Sequence, residues 1–303
     1  MGAVLSTQAL TKHFGSVHAV NGIDLEVEAG QIYGMLGPNG SGKTTTLGML
    51  LGTIRPTSGT FSWMGQYGAH HQIRNRIGAI LEGPIFYPYM TGRQNLEISC
   101  LIKDVPFTRI PEVMDWVGLG KRQHHKFRTY SLGMKQRLAI AAALLTDPDV
   151  LFLDEPTNGL DPQGIADIRG LIRDIAKMGK TIVLASHLLD EVQKVCSHFC
   201  VLRHGNLIYQ GGVDDALGGR NIIQINATDV SALKSAAAAM NLGVAEVDEH
   251  LEIESAEPLD PGALNQHFFN QGVVLTHLQP ITRSLEQQFL QILKEHDSST
   301  ASH

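Results

Sequence analysis

The chain is 303 residues long, about the length of two ordinary domains, and 43% of its residues are hydrophobic and 18% charged. The net charge is −6 and the basic residues form no block, so the charge pattern gives no support to a nucleic-acid partner. The longest apolar run covers residues 138–145, far short of the roughly 18 residues of a membrane span.

The first 30 residues alternate apolar and polar side chains in the manner of a half-buried strand. Leu25 and Val27, for example, each lie between charged residues. We therefore expect an antiparallel β element at the N-terminus. Phe14 lies shortly before a glycine-rich loop, where an aromatic ring can either stack on a purine base or pack in the core. Sequence spacing leaves both alternatives open.

That glycine-rich loop, GPNGSGKTTT at residues 37–46, contains the pattern G-x-x-x-x-G-K-[ST]. Glycines let the backbone N–H groups point at a bound phosphate without a Cβ in the way. Lys43 can reach the outer phosphates, and the Thr44 hydroxyl can bind Mg²⁺. The residues expected to contact the nucleotide are Gly37, Pro38, Asn39, Gly40, Ser41, Gly42, Lys43, Thr44 and Thr45.

The flanking segments predict the structural context that such a loop needs. Residues 31–36 have the pattern of a short strand that enters the loop. Leu47, Leu50, Leu51 and Ile54 then have the spacing of one helix face. A helix that begins at the loop directs its N-terminal N–H groups at the phosphates.

Residues 77–81 follow as a buried strand that ends at Glu82. A mostly helical insert is predicted at about residues 88–148, with residues 113–119 (VMDWVGL) forming a turn. The insert separates two parts of an α/β core.

Strands and helices alternate again after the insert. Strands are predicted at residues 150–153 and 181–185, helices at 165–178 and 188–195, and a hairpin at 199–210. Residues 150–153 are all apolar, as expected of a strand buried on both faces. The alternation predicts a parallel sheet flanked by helices.

The three cysteines form no disulfide framework, which is typical of a reducing cytoplasm. Cys196 and Cys200 are predicted to lie four residues apart on one helix. Two small core residues are a better interpretation of them than a metal or redox pair, because no further His or Cys pair completes a zinc ligand set.

Several polar residues are candidates for chemistry beside the phosphate loop. Asp154 and Glu155 end a buried strand, where Asp154 can associate with Mg²⁺ and Glu155 can orient or deprotonate a water molecule. His187 directly follows another strand and is either a sensor of the γ-phosphate or an ordinary satisfied histidine. Ser131 is either a helix cap or part of a second phosphate-binding terminus, and Gly133 leaves the backbone there open.

A second domain is predicted after the hairpin. We place the boundary between residues 1–218 and 219–296, with a disordered tail at 297–303. Residues 222–278 follow the order βαββαβ of a split βαβ unit. This domain has no glycine-rich loop and no acidic or histidine cluster, so a structural or interaction role is expected. A last helix is predicted to carry Leu285, Phe289 and Leu290.

Taken together, the motifs resemble the ATPases of ABC transporters over about residues 5–215. The segments that carry the resemblance are the Walker A loop GPNGSGKT at 37–44, the signature YSLGM at 130–134, the Walker B segment VLFLDEP at 150–156, the D-loop GLDP at 159–162 and the switch histidine His187.

The resemblance implies an α/β P-loop ATPase core with a parallel sheet, an N-terminal antiparallel β element and an α-helical insert, followed by a small C-terminal α+β domain. It also implies ATP and Mg²⁺ as cofactors. Two copies are expected to pair head to tail, so that Ser131 and Gly133 of one copy close over ATP bound at Lys43 of the other. Asp161 joins that site through the D-loop, and Phe14 lies at the adenine.

The same resemblance implies the chemical roles. Glu155, His187 and Lys43 are the expected catalytic residues, and Thr44, Glu82 and Asp154 the expected metal ligands. Separate transmembrane permease subunits are the expected partners, which places the chain at the cytoplasmic face of the cell membrane with no span of its own. Residues 86–93, next to Glu82, are expected to receive a helix of the permease.

The sequence departs from the usual family pattern at two places, and the second departure indicates the cargo. The signature has Leu132 and Met134 where Gly and Gln are usual. Glu82 stands where most members carry Gln, and it resembles the subgroup that exports lantibiotics and bacitracin-like peptides. Residues 284–293 (SLEQQFLQIL) resemble the tail of that subgroup.

The predicted function is therefore the ATP-hydrolysing motor of a peptide-antibiotic exporter. One alternative is an exporter of another cargo, such as a drug, a lipid or sodium. Another is a non-transport ABC ATPase that acts on ribosomes or DNA. The single P-loop, the lack of sustained heptads and the net charge of −6 argue against that last alternative.

Overall fold

A computed structural model describes residues 2–68, 73, 75–81, 83, 85–216, 221–247, 250–255, 259–281 and 289 of the chain. The chain divides into two compact units, Met1–Gly211 and Gly212–His303. Every helix in the described ranges is too short or too polar to cross a lipid bilayer.

The first unit contains an antiparallel and a mostly parallel sheet. Its strands are β1 (Ala3–Phe14), β2 (Val17–Ile23), β3 (Glu26–Glu28), β4 (Ile32–Leu36), β5 (Ser58–Trp63), β6 (Gln66–Tyr67), β7 (Ile77–Ile80), β8 (Val150–Asp154), β9 (Thr181–Ser186), β10 (His198–Arg203) and β11 (Asn206–Gly212).

The antiparallel sheet has the order β2-β1-β5-β6, with β3 paired to β1. It confirms the predicted N-terminal β element. The other sheet has the order β11-β10-β4-β9-β8-β7, and the pairs from β10 to β7 are parallel. It confirms the predicted parallel sheet. The strand that enters the phosphate loop, β4, lies in the middle of this sheet between β10 and β9.

The core of the first unit lies between the two sheets. All residues of β8 and β9 are buried, which explains why both segments are apolar almost throughout. Phe152 on β8 meets Trp63 on β5 edge to face, with ring centroids 5.4 Å apart. This aromatic pair joins the parallel sheet to the antiparallel one in a single hydrophobic cluster.

Replacing Phe152 with Ala is expected to lower the free energy of unfolding by about 3–5 kcal/mol, because a fully buried ring leaves a cavity that the sheets cannot close. Thermal or urea unfolding of the full chain measures the change. Phe107→Ala is the matched control, since Phe107 is 44% exposed. A loss below about 1 kcal/mol for Phe152→Ala, similar to a surface change, would contradict this packing.

The helices of the first unit flank the parallel sheet or form the insert. They are α1 (Lys43–Leu50), α2 (Gly92–Lys103), α3 (Arg109–Trp116), α4 (Leu132–Leu144), α5 (Pro162–Lys177) and α6 (Leu189–Val195). Helices α2, α3 and α4 fall within the predicted helical insert. The expected turn at residues 113–119 is wrong in its first half, because residues 113–116 form the last turn of α3.

The apolar face predicted after the phosphate loop extends past the helix. Helix α1 ends at Leu50, and the chain turns at Gly52. The backbone N–H of Ile54 then donates to the carbonyl of Gly48 at 2.9 Å. Ile54 therefore packs against the helix from a returning turn rather than from the helix itself, which explains why its spacing matched a helical period.

The two cysteines predicted to share a helix do not. Cys196 is the residue that caps the end of α6, and Cys200 lies on β10. Both are buried, and burial raises the pKa of each thiol, to about 12 for Cys200. The interpretation as core residues is consistent with this burial, although the reason given for their spacing was wrong.

The second unit contains α7 (Val213–Ala216), β12 (Asn221–Ala227), α8 (Val230–Ala239), β13 (Val244–Val247), β14 (His250–Ser255), α9 (Pro261–Asn270) and β15 (Leu275–Ile281). Its sheet has the order β13-β14-β12-β15 with antiparallel pairs. This order is that of the predicted split βαβ unit. Ile225 and Ile253 of the sheet pack with Leu233 of α8 and Phe268 of α9. The predicted last helix, apart from Phe289, and the predicted tail lie outside the described residues.

Candidate nucleotide site

The phosphate loop connects β4 to α1, and its shape requires glycine at two positions. Gly42 has a φ of +106°, and a Cβ there would lie 2.6 Å from the carbonyl oxygen of Ala19. A Cβ on Gly37 would lie 2.3 Å from the hydroxyl of Ser41 and 2.5 Å from the carbonyl oxygen of Leu202. Side chains are excluded at both positions because other atoms of the protein already occupy the space that a Cβ would need.

Lys43 lies folded back against this loop. Its ammonium group donates to the carbonyl oxygens of Gly37 at 2.6 Å and Pro38 at 3.3 Å, and only 6% of the residue is exposed. Burial lowers the pKa of the Lys43 ammonium, while the nearby carboxylates of Glu155 and Asp154 oppose that shift. A positive charge is thus held at the first turn of α1, where an anion is also favoured by the helix dipole.

The buried hydroxyl of Ser41 has no hydrogen-bond partner in the described part of the chain. A buried polar atom without a partner is uncommon in a folded protein and calls for an explanation such as a missing ligand. Its place within the loop fits a site for phosphate oxygens.

Thr44 and Asp154 are 110 residues apart in sequence, and the fold brings their side-chain oxygens together as possible metal ligands. The Thr44 hydroxyl donates to Oδ2 of Asp154 at 3.3 Å. Hydroxyl and carboxylate oxygens are the donors that Mg²⁺ prefers, and Mg²⁺ usually takes few protein ligands beside phosphates and water. The donor set therefore fits Mg²⁺. Within the described ranges, no group of three or more His, Cys, Asp or Glu side chains forms a metal cluster.

Glu155 and His187 follow two neighbouring parallel strands, β8 and β9. Nδ1 of His187 lies 2.8 Å from Oε2 of Glu155. Glu155 has a φ of +48°, a conformation that costs a residue with a side chain roughly 1–2 kcal/mol. Its backbone N–H donates to the carbonyl oxygen of Ala185 at 2.9 Å, which helps to hold it there.

Ser41, Lys43, Thr44, Asp154 and Glu155 line a cavity of about 840 Å³, and His187 contacts this lining through Glu155. Phe14 lines its wall with 49% of the residue exposed, so the alternative that packed this ring in the core is wrong. The ammonium of Lys12 lies 4.8 Å from the centroid of the Phe14 ring. The half-exposed Phe14 ring is a surface on which a base can stack.

Leu132 of the signature also lines the cavity, together with residues that the sequence did not single out. These are Val17, His18, Ala19, Gly83, Gln136, Asn158 and His204. His204 has a φ of +50° at the turn between β10 and β11, and the hairpin pattern located that turn without indicating that it faces the loop. No sequence signal marked His18, whose ring stacks on that of His13.

Three other predicted contact residues do not line the cavity of Lys43. Ser131 caps α4 through its hydroxyl, which accepts from the backbone N–H of Met134 at 3.2 Å. Ser131, Gly133 and Asp161 line a second cavity of about 590 Å³. Glu82, the remaining predicted metal ligand, lies outside the described residues.

The model of the protein family described as "ABC transporter" matches residues 20–158. The bacitracin transport ATP-binding protein BcrA of Enterococcus faecalis is 36% identical over 97% of this chain and 97% of its own length. The chain belongs to the ABC transporter ATP-binding proteins. It therefore binds ATP and carries the ABC transporter ATPase domain.

This ABC transporter ATP-binding protein has relatives with other named roles. The Nod factor export ATP-binding protein I of Ralstonia nicotianae is 36% identical over 77% of this chain and 75% of its own length. A solved structure of cbiO1 from Clostridium perfringens, described as part of the ABC transporter complex cbiONQ, superposes with a TM-score of 0.66 at 28% identity. That match covers 71% of this chain and 90% of cbiO1.

Proposed function

We propose that the chain is the ATP-hydrolysing motor of an exporter that expels peptide antibiotics of the bacitracin or lantibiotic kind and so confers resistance to them. The observation that carries this proposal is the extent of the likeness to the bacitracin transport protein. That likeness runs over 97% of both chains and so includes the second unit, whereas the Nod factor export relative matches 77% of the chain.

The geometry supports a separate role for each site residue in ATP hydrolysis. Lys43 and the N–H groups of the loop bind the phosphates, and Phe14 stacks on the adenine. Glu155 accepts a proton from the attacking water or orients it, while His187, which bonds to Glu155, is assigned as the sensor of the γ-phosphate. Thr44 and Asp154 hold Mg²⁺, which when bound neutralises charge on the phosphates. Glu82 is assigned to the same ion from the sequence resemblance.

The two cavities share one lining residue, Leu132, and the predicted contact residues of the signature and D-loop line the second, which supports a homodimer. Ser131, Gly133 and Asp161 line a cavity of their own, and Lys43 lines the other. In a head-to-tail pair, the signature residues of one copy close over ATP held by the loop of the other. Each site is then complete only in the dimer.

Exposed apolar residues support docking of separate permease subunits on the insert. In residues 86–93, Tyr87 is 60% exposed and Tyr89 is 75% exposed. Exposed apolar side chains grouped in this way usually mark a contact with a partner. We place the chain at the cytoplasmic face of the membrane, bound to those subunits.

The cargo is tested by expressing the chain with its permease in a susceptible Gram-positive host. The minimal inhibitory concentration of bacitracin or a lantibiotic is expected to rise, and the rise is expected to disappear with Lys43→Ala. Wild-type ATPase activity without resistance to any peptide would exclude the proposed cargo and leave the motor function standing.

A further inference from the structure

Glu191 is a buried carboxylate that has no part in the mechanism of ATP hydrolysis proposed above. It lies in the first turn of α6 and is 1% exposed. Its neighbour Asp190 is exposed at the surface, where it forms ion pairs with Arg169 and Lys194. Glu191 points inward instead. Burial raises the pKa of its carboxyl, and the hydrogen bond from Ser186 and the charge of Arg169 oppose that shift.

Two hydroxyl groups from different segments donate to this carboxylate. The Ser186 hydroxyl donates to Oε2 of Glu191 at 2.7 Å, and the Thr157 hydroxyl donates to Oε1. The Ser186 oxygen also accepts from the backbone N–H of Leu188 at 3.0 Å. Ser186 precedes His187 in the chain and both of these partners follow it, so the two bonds span His187.

Thr157 and Ser186 each lie close in sequence to one of the two residues assigned to the chemistry. Thr157 comes two residues after Glu155, and Ser186 comes directly before His187. We propose that Glu191 is a positioning residue for ATP hydrolysis, which ties the segment that carries Glu155 to the segment that carries His187. This inference rests on the roles proposed for Glu155 and His187.

The backbone conformation of Glu155 shows why a link between these two segments is needed. A residue with a φ of +48° stays in that conformation only where its surroundings hold it on both sides. On the N-terminal side, the backbone N–H of Glu155 donates to Ala185 on β9. On the C-terminal side, the backbone N–H of Asn158 donates to the carbonyl oxygen of Glu155 at 3.1 Å, and the bond from Thr157 to Glu191 links this turn to α6. Loss of the bond to Glu191 is expected to loosen the turn and, with it, the contact between Glu155 and His187.

The test compares ATP turnover of the full chain in Glu191→Ala, Glu191→Gln and Thr157→Val. A misplaced catalytic group can lower the rate about 10²-fold, so Glu191→Ala is expected to lower kcat by that order. The KM for ATP is expected to change less than about threefold, because Lys43 and the loop are untouched. Glu191→Gln is expected to recover part of kcat, since its amide can still bond both hydroxyls. Thr157→Val removes one hydroxyl without a change of volume and is expected to shift kcat in the same direction.

Asn95→Ala is the matched control for loss of a buried polar group. Asn95 is also 1% exposed and bonds to the backbone of Tyr87 and Thr91, away from the cavity. All rates are measured below the melting temperature of the least stable variant. An unchanged kcat in Thr157→Val and Glu191→Ala, or a kcat in Asn95→Ala that falls as far, overturns the inference.

Glu155→Gln measured in parallel separates this inference from the function on which it rests. If Glu155→Gln abolishes turnover while the Glu191 and Thr157 variants retain it, the positioning role alone is wrong. If Glu155→Gln itself retains turnover, the proposed role of Glu155 is wrong as well.

Discussion

Replacing Glu155 with Gln is expected to lower ATP turnover by the full chain about 10²- to 10⁴-fold, the usual contribution of a positioned general base. Gln has nearly the same shape and can still bond to His187, which lies 2.8 Å from the Glu155 carboxylate. Its amide, however, cannot accept a proton from water. The change therefore removes the general base and leaves the shape of the site almost unchanged.

Affinity for ATP is expected to stay near the wild-type value in this variant, because Lys43 and the phosphate loop are unchanged. Steady-state hydrolysis and equilibrium binding of a fluorescent ATP analogue measure the two effects separately. Glu97→Gln is the control, since Glu97 is also a partly buried carboxylate and pairs with Arg93 at 3.0 Å in the insert. A turnover rate within a few-fold of wild type in Glu155→Gln would show that another group activates the water.

Much of the fold was predictable because its signals are local. The parallel strands are continuous apolar runs, and a strand followed by a glycine-rich loop and a helix has a recognisable pattern. Errors arose where tertiary contacts imitate a local period. Ile54 matched the spacing of a helix face but packs from a turn, and Cys196 and Cys200 matched a helical spacing while lying on different elements.

The site was predictable as far as its motifs reach. The structure brings Thr44 to Asp154 and Glu155 to His187, as expected of residues at the loop and at the ends of adjacent strands. Ser131 and Lys43 line different cavities that share Leu132, so the predicted pairing of Ser131 with ATP at Lys43 of another copy stays a prediction.

Residues that act through distant contacts were not predictable. Glu191 follows Asp190 in the first turn of a helix, where acidic side chains are favoured for the dipole alone. Thr157 lies 34 residues away from it, and hydroxyl residues are common in turns. Only the fold of β8 onto β9 shows that these two side chains meet.

Replacing Lys43 with Ala is expected to have the other large effect, on both binding and turnover. A charge-assisted hydrogen bond contributes about 1.5–3 kcal/mol, so losing one such bond to a phosphate lowers ATP affinity about 10- to 150-fold. Removing a donor that stabilises charge in the transition state lowers kcat by a further factor of about 10² to 10³. The fall in kcat/KM is therefore expected to reach about 10³-fold or more.

The structure adds a reason why Ala is more disruptive here than loss of a charge alone. The Lys43 ammonium donates to the carbonyl oxygens of Gly37 and Pro38, so its removal leaves both loop carbonyls without this donor. Lys177→Ala changes the net charge equally at an exposed position on α5 and is expected to leave binding and turnover unchanged. Isothermal titration with ATP under conditions that prevent hydrolysis gives the affinity directly. If Lys43→Ala bound ATP as tightly as Lys177→Ala, the loop would hold the phosphates by its backbone N–H groups alone, and the assigned role of Lys43 would be wrong.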